Sequence, residues 1–182
     1  MTKGFRNLLL LFLGVSALIS CSEPQNFDQL DALQITPTYE TSIFYVETQE
    51  SLINRITGVR FFTQDFNFDA FEQPFFADRV LEGILTYELE NTTSKPIVIT
   101  LEFLDVADQT LDTETFEMDP APTATLVRDV TYGTTGKSLD IIRNTSKIRL
   151  TAGNLGDNTT TSGVPNASII LKSSAQFTLE LQ

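Results

Sequence analysis

The stretch Gly83-Ile-Leu-Thr-Tyr-Glu-Leu-Glu-Asn91-Thr-Thr-Ser-Lys-Pro96-Ile-Val-Ile-Thr-Leu-Glu-Phe103-Leu-Asp105 decides how this chain is read. Leu85, Tyr87 and Leu89 alternate with Thr86, Glu88 and Glu90, so an extended segment would be apolar on one face and polar on the other. After Asn91-Thr-Thr-Ser-Lys95 the alternation resumes, with Ile97, Ile99, Leu101 and Phe103 set against Val98, Thr100 and Glu102. Pro96 opens the second segment, where a missing N–H is tolerated. Two period-2 segments joined by a short polar turn predict a β-hairpin.

The same pattern extends in both directions. Residues 35–46 are rich in Ile, Thr, Tyr, Phe and Val and read as a strand, with Pro37 marking an edge or bulge near its start. Residues 105–110 turn the chain into a polar strand over 111–118, which Pro120 and Pro122 break. Further strands are predicted over 123–132, 147–152 and 168–181, and single helical turns at 49–55 and 138–143, the second N-capped by Ser138. Residues 153–166 read as a loop. Seven to nine short strands with no long amphipathic helix predict an all-β antiparallel sandwich. The stretch from Gly83 to Asp105 also resembles the central strands of immunoglobulin-like domains of bacterial envelope proteins. That resemblance implies an Ig-like β-sandwich as a single domain over residues 33–182, although the Cys–Trp–Cys core of antibody domains is missing.

The N-terminus carries a second pattern. Lys3 and Arg6 precede an apolar run from Leu8 to Ile19, which ends in Leu18-Ile19-Ser20-Cys21. A run this short falls below the roughly 20 residues needed to span a bilayer as a helix. Charge, apolar core and the closing box together resemble a bacterial lipoprotein signal peptide. The resemblance implies that residues 1–20 are removed and that Cys21 bears the lipid, with residues 21–32 as a tether. Two or three acyl chains, at about 0.8 kcal/mol per buried methylene, make a stable anchor. Ser22 in place of Asp after the cysteine favours the outer membrane over the inner; periplasmic and surface faces both stay open.

Composition narrows the chemistry. Removing residues 1–20 takes Lys3 and Arg6 from the 12 basic side chains and none from the 24 acidic ones. The resulting excess of acid disfavours nucleic acid, whose phosphates need Lys and Arg. There is no histidine, and Cys21 is the only cysteine, so zinc, copper and Ser-His-Asp chemistry lack their residues, and no disulfide is available. Gly133-Thr-Thr-Gly136-Lys137-Ser138 has two residues between its glycines where a nucleotide loop needs four, so it reads as a turn and no nucleotide is expected. No cofactor and no catalytic residue is assigned.

Two acidic groups bear on Ca²⁺. Asp65, Asn67 and Asp69 open like an EF-hand loop, but Ala70 and Phe76 stand where Gly and Glu belong. Asp105, Asp108, Asp112 and Glu114 cluster in sequence without a basic neighbour; solvated turns are the plainer reading, and no metal ligand is assigned. The four Asn-x-Ser/Thr triplets at Asn91, Asn144, Asn158 and Asn166 read as turn chemistry. Residues 61–76 hold seven of the 14 phenylalanines. They either pack into the core or form an exposed edge that docks a partner through Phe66, Phe68 and Phe71.

The expected function is a lipid-anchored, non-catalytic binding or structural module of the cell envelope. It would be attached to a membrane through Cys21 and would contact another envelope protein. A glycan- or calcium-dependent adhesion module is the alternative, and a carboxylate-based hydrolase comes behind it.

Overall fold

The computed structural model describes Gly4 and residues 34–68, 73–121 and 125–181. Residues 34–181 form one compact unit. Eight strands build it: β1 (Thr38–Gln49), β2 (Arg60–Asn67), β3 (Val80–Asn91), β4 (Ile97–Leu104), β5 (Thr110–Met118), β6 (Leu126–Tyr132), β7 (Lys147–Asn154) and β8 (Ser168–Leu179). Among the described residues three short helices interrupt them: α1 (Glu50–Ile53), α2 (Pro74–Ala77) and α3 (Leu139–Asn144). The chain is therefore an antiparallel β-sandwich with a strand count inside the expected range. Alternation is the reason. Leu85, Tyr87 and Leu89 of β3 and Ile97, Ile99, Leu101 and Phe103 of β4 all face the shared core and are buried, while the residues between them are half-exposed.

Connectivity is where the structure departs from the resemblance. One sheet runs β1-β8-β3-β6 and the other β2-β7-β4-β5. An immunoglobulin sandwich sets its first two strands side by side; here β1 pairs with β8 and β2 with β7. The pairs β1·β8, β2·β7, β3·β6 and β4·β5 are those of one long antiparallel ribbon, rolled up so that β3·β8 and β4·β7 close the two sheets. This is a jelly roll.

The hairpin expected over residues 83–103 is corrected for the same reason. β3 and β4 lie in different sheets, and residues 92–96 cross between them. A hairpin turn would be solvated, whereas Asn91, Thr93 and Lys95 are fully buried. The Asn91 and Thr93 side chains bond the backbone groups that leave the ladder in crossing. Among the described strands, only β4 and β5 are adjacent in both sequence and sheet. Their turn is held by Asp105, whose Oδ1 accepts from Ala107 and Gln109 N–H at 2.8 Å each, with Asp108 at φ 62°.

The sandwich has two ends. Residues 34–37 enter at the root end, where Ile35 bridges Leu181 and Pro37 O accepts from Leu179 N. The far end carries α1, the 92–96 crossing and the loop between β7 and β8. Along the 12 residues of β3, root and far end lie about 36 Å apart at ~3.3 Å per residue.

Candidate docking surface

The far end is built from charge and amide chemistry laid under an aliphatic surface. Glu50, the first residue of α1, is 5% exposed. Its Oε1 accepts from Ser94 N at 3.0 Å and from Ser94 Oγ, and its Oε2 from Ser162 N at 2.9 Å. One carboxylate thus ties the helix, the crossing and the long loop. Burial works to raise this carboxyl, but the bonds from Ser94 and Ser162, with the Lys95 charge, outweigh it and hold it below its ordinary 4.5.

Asn91 does the same for the crossing. Its Nδ2 donates to Lys95 O and Asp119 O at 2.8 Å each, and its Oδ1 accepts from Thr93 N at 3.0 Å and Thr93 Oγ1 at 2.7 Å. Lys95 runs through the interior with no exposed surface, and its Nζ donates to Asp157 Oδ1 at 3.1 Å and Thr160 O at 2.7 Å. Asp157 also accepts from Thr160 Oγ1, Thr160 N and Thr159 N, and these bonds, with Lys95, hold its carboxyl far below the usual range. Asn154 Nδ2 closes the loop onto Asp157 O and Asn158 Oδ1, both at 3.0 Å.

The loop so pinned, residues 155–167, contains no helix or strand. Ordered loops longer than about 12 residues are uncommon in a compact domain and are usually functional. On and around it stand Leu52, Ile56, Val59, Leu155 and Val164, each at least 40% exposed. Hydrogen bonds join them into one assembly: Asn158 Nδ2 donates to Ile56 O, Asn154 N to Val59 O, Leu155 N to Pro96 O and Val164 N to Ser162 Oγ. The result is an aliphatic surface over a floor that Glu50, Lys95 and Asp157 cross-bond, with Asn54 Oδ1 left buried without a partner among the described residues. It suits contact with protein.

A second concavity crosses the outer face of the β1-β8-β3-β6 sheet. It encloses about 440 Å³ and is lined by Glu40, Ser42, Thr86, Asp129, Ser174 and Gln176, among others. It opens beside the bulge that displaces Ile43 from the β1·β8 ladder. Its walls are already cross-bonded, Gln176 Nε2 to Glu40 Oε1 at 2.8 Å and Thr86 Oγ1 to Asp129 Oδ1 at 2.7 Å.

The sequence-derived candidates fall as follows. Cys21 and Phe71 lie outside the described residues, as does Asp69. Phe68 is buried, and Phe66 packs against the core with its ring 4.9 Å from that of Phe44. The structure thus places Phe66 and Phe68 on the packing side of the two readings, not on an exposed edge. Among the described phenylalanines of the same run, Phe75 is the exposed one. Asp65 forms a two-point pair with Arg149 at 2.8 and 2.9 Å and a third contact with Lys147. Basic partners missing in the sequence neighbourhood also reach the second acidic group across strands: Lys147 meets Asp108, and Lys137 meets Asp112 at 2.6 Å and Glu114 at 2.5 Å. Among the described residues no group of three His, Cys, Asp or Glu is gathered to hold a metal.

The Gly133–Ser138 segment is a tight turn. A Cβ on Gly136 would sit 2.0 Å from Thr131 O, so glycine serves close backbone approach. Ser138 Oγ accepts from Asp140 N and caps α3, as expected. Asn144 bonds the carbonyl of Asp140 and Asn166 takes φ 54°, which is turn chemistry, whereas Asn158 donates to the distant Ile56 O.

Beneath Lys137, Tyr132 donates to Asp112 at 3.4 Å, while the Tyr87 hydroxyl is buried with no partner. Burial pushes the Tyr87 phenol far up, so it stays protonated and unpaired. Tyr87→Phe removes that unsatisfied group and is expected to stabilise the fold by about 1 kcal/mol, read as a higher midpoint in urea at unchanged slope.

Sequence reasoning misses the far-end surface. Its one signal there is loop length, because the buried side chains that fix it look like ordinary turn residues. No protein-family description and no curated protein matches the chain. Solved structures similar to it include the infectious bursal disease virus VP2 subviral particle, at 10% identity and TM-score 0.37 over 81% of this chain. Desmodium yellow mottle tymovirus aligns at 7% identity and 0.36, covering 82% of this chain and 83% of that one. The enzymatically active domain of bacteriophage CBA120 tailspike protein 4 aligns at 10% and 0.33, over 76% of this chain and 19% of that one. The chain spans about a third of the VP2 chain, 32% of its length. Strand order alone carries the fold assignment.

Proposed function

We propose that this chain is a lipid-anchored, non-catalytic binding module of the bacterial cell envelope, and that the far end of its sandwich engages another envelope protein. The carrying observation is the pinned 155–167 loop, which exposes Leu155 and Val164 beside Leu52, Ile56 and Val59 on a floor cross-bonded through Glu50, Lys95 and Asp157. Aliphatic side chains give no stacking platform for sugar rings, so the class of partner is protein. Site-specific photocrosslinking in the bacterium tests this. A benzophenone side chain at Leu155 is expected to trap one discrete adduct, lost when Ile56 and Val59 are both changed to Ser. Failure to trap any adduct there overturns the reading. The polar groove at Ser42, Thr86, Ser174 and Gln176 favours a second reading, glycan adhesion. That reading gains if neutral polysaccharide retards the protein in native gels and Ser174→Trp abolishes the shift.

A further inference from the structure

The root end carries its own exposed apolar group, distinct from the far-end surface. Phe75 is 60% exposed, Ile35 50% and Leu81 39%. They are contiguous through the backbone: Ile35 bridges Leu181, Glu180 N donates to Arg79 O, and Arg79 Nη1 donates to Phe75 O at 3.2 Å. Leu81 follows Val80, the residue paired with Leu179. The Arg79 guanidinium lies 4.2 Å from the centre of the Phe75 ring and forms no ion pair among the described residues.

We propose that Ile35, Phe75 and Leu81 form a membrane contact, seated in the interface of a zwitterionic bilayer with Arg79 at phosphate level. The inference rests on the lipid-anchor reading of Cys21. Its argument is where the anchored segment ends: only residues 22–33 separate Cys21 from Gln34, and the chain enters the fold at Ile35, inside this patch. Fully extended, that segment reaches only about 45 Å, so the root end is held at high effective concentration near the lipid surface. Three side chains too weak to recruit a free protein suffice under that condition. Phenylalanine and aliphatic side chains beside an arginine with a long apolar stem match the make-up of surfaces that seat at the headgroup boundary. Asp78, Glu82 and Glu180 flank the patch, and the domain is strongly acidic, so the surface is zwitterionic and not anionic.

The chain contains no tryptophan, which makes a single introduced one a clean reporter. The full-length lipidated protein would be made as Phe75→Trp, as Leu81→Trp and as Leu155→Trp at the far end, then reconstituted in phosphatidylcholine vesicles. In vesicles carrying lipid brominated near the headgroup, the 75 and 81 reporters are expected to shift to the blue and lose at least half their emission. They should also be shielded from iodide several-fold relative to the 155 reporter. Melting curves identify any variant that misfolds, and either root reporter alone decides the matter. If the protein floats with the vesicles but both root reporters meet iodide as freely as the far-end one, the patch proposal is wrong and the anchor stands. If all three are quenched alike, the domain lies flat and the proposal is equally wrong. If the protein does not float, the anchor reading fails and takes this inference with it.

Discussion

Asn91→Ala is expected to cost about 4 kcal/mol of folding stability, the largest loss of any single polar substitution in this chain. From a fully buried position the side chain bonds Lys95 O, Asp119 O, Thr93 N and Thr93 Oγ1 among the described residues. Alanine would leave Thr93 N–H without its partner in the interior, Lys95 C=O with only the 3.4 Å bond from Thr93 Oγ1, and Asp119 C=O open at the rim. Each stranded group costs about 1–3 kcal/mol. Asn91→Asp separates this account from a simple turn preference. Aspartate keeps the acceptor for Thr93 but cannot donate, so it sets a carboxylate against two carbonyl oxygens and is expected not to rescue. Urea denaturation of the three proteins checks both points; a loss below about 1 kcal/mol for the alanine variant would mean the crossing is held by something else.

Glu50→Ala comes next, at about 3 kcal/mol, because bonds to a charged acceptor contribute about 1.5–3 kcal/mol each and two of these come from backbone N–H groups. Its signature is pH dependence. The folded carboxyl sits below its ordinary 4.5, so the unfolded chain binds a proton more readily than the folded one. The stabilisation is fully present above about pH 4.5 and is lost as pH falls through the lowered folded value. The wild type should therefore lose stability in acid faster than Glu50→Ala, and the gap between the two should narrow. Proteolysis should localise the defect, with the variant cut first within 155–167, since Ser162 is tied down by Glu50.

Much of the fold was legible because alternation is a local signal. Residues 85–89 and 97–103 declare a buried and an open face without reference to anything distant, and a two-layer all-β domain follows. Which strand lies beside which was not legible. β1 pairs with β8, Thr38 opposite Thr178, and period-2 patterning is the same whether a turn folds back within one sheet or crosses to the other. Asn91-Thr-Thr-Ser-Lys95 satisfies the composition of either. Only burial distinguishes them, and nothing local announces that Lys95 will be enclosed by a loop that starts at Leu155. The acidic residues misled for the same reason: Asp112 and Glu114 find Lys137 across strands. The sequence-derived site fared as its residues did, with Phe66 and Phe68 absorbed by packing while the exposed surfaces arose at loops.

The strand order also constrains how the protein can be made. β8 is the last of the described strands in sequence, yet it occupies an interior place in its sheet, between β1 and β3. A chain emerging N-terminus first, from a ribosome or a translocation pore, holds β1 and β3 ready with facing edges and nothing to join them until residues 168–179 appear. Until then both edges are open templates for foreign strands. Closure of this sheet is thus withheld until residues 168–179 have emerged, and a product stopped before them would be a target for chaperones or proteases and not a shortened version of the domain.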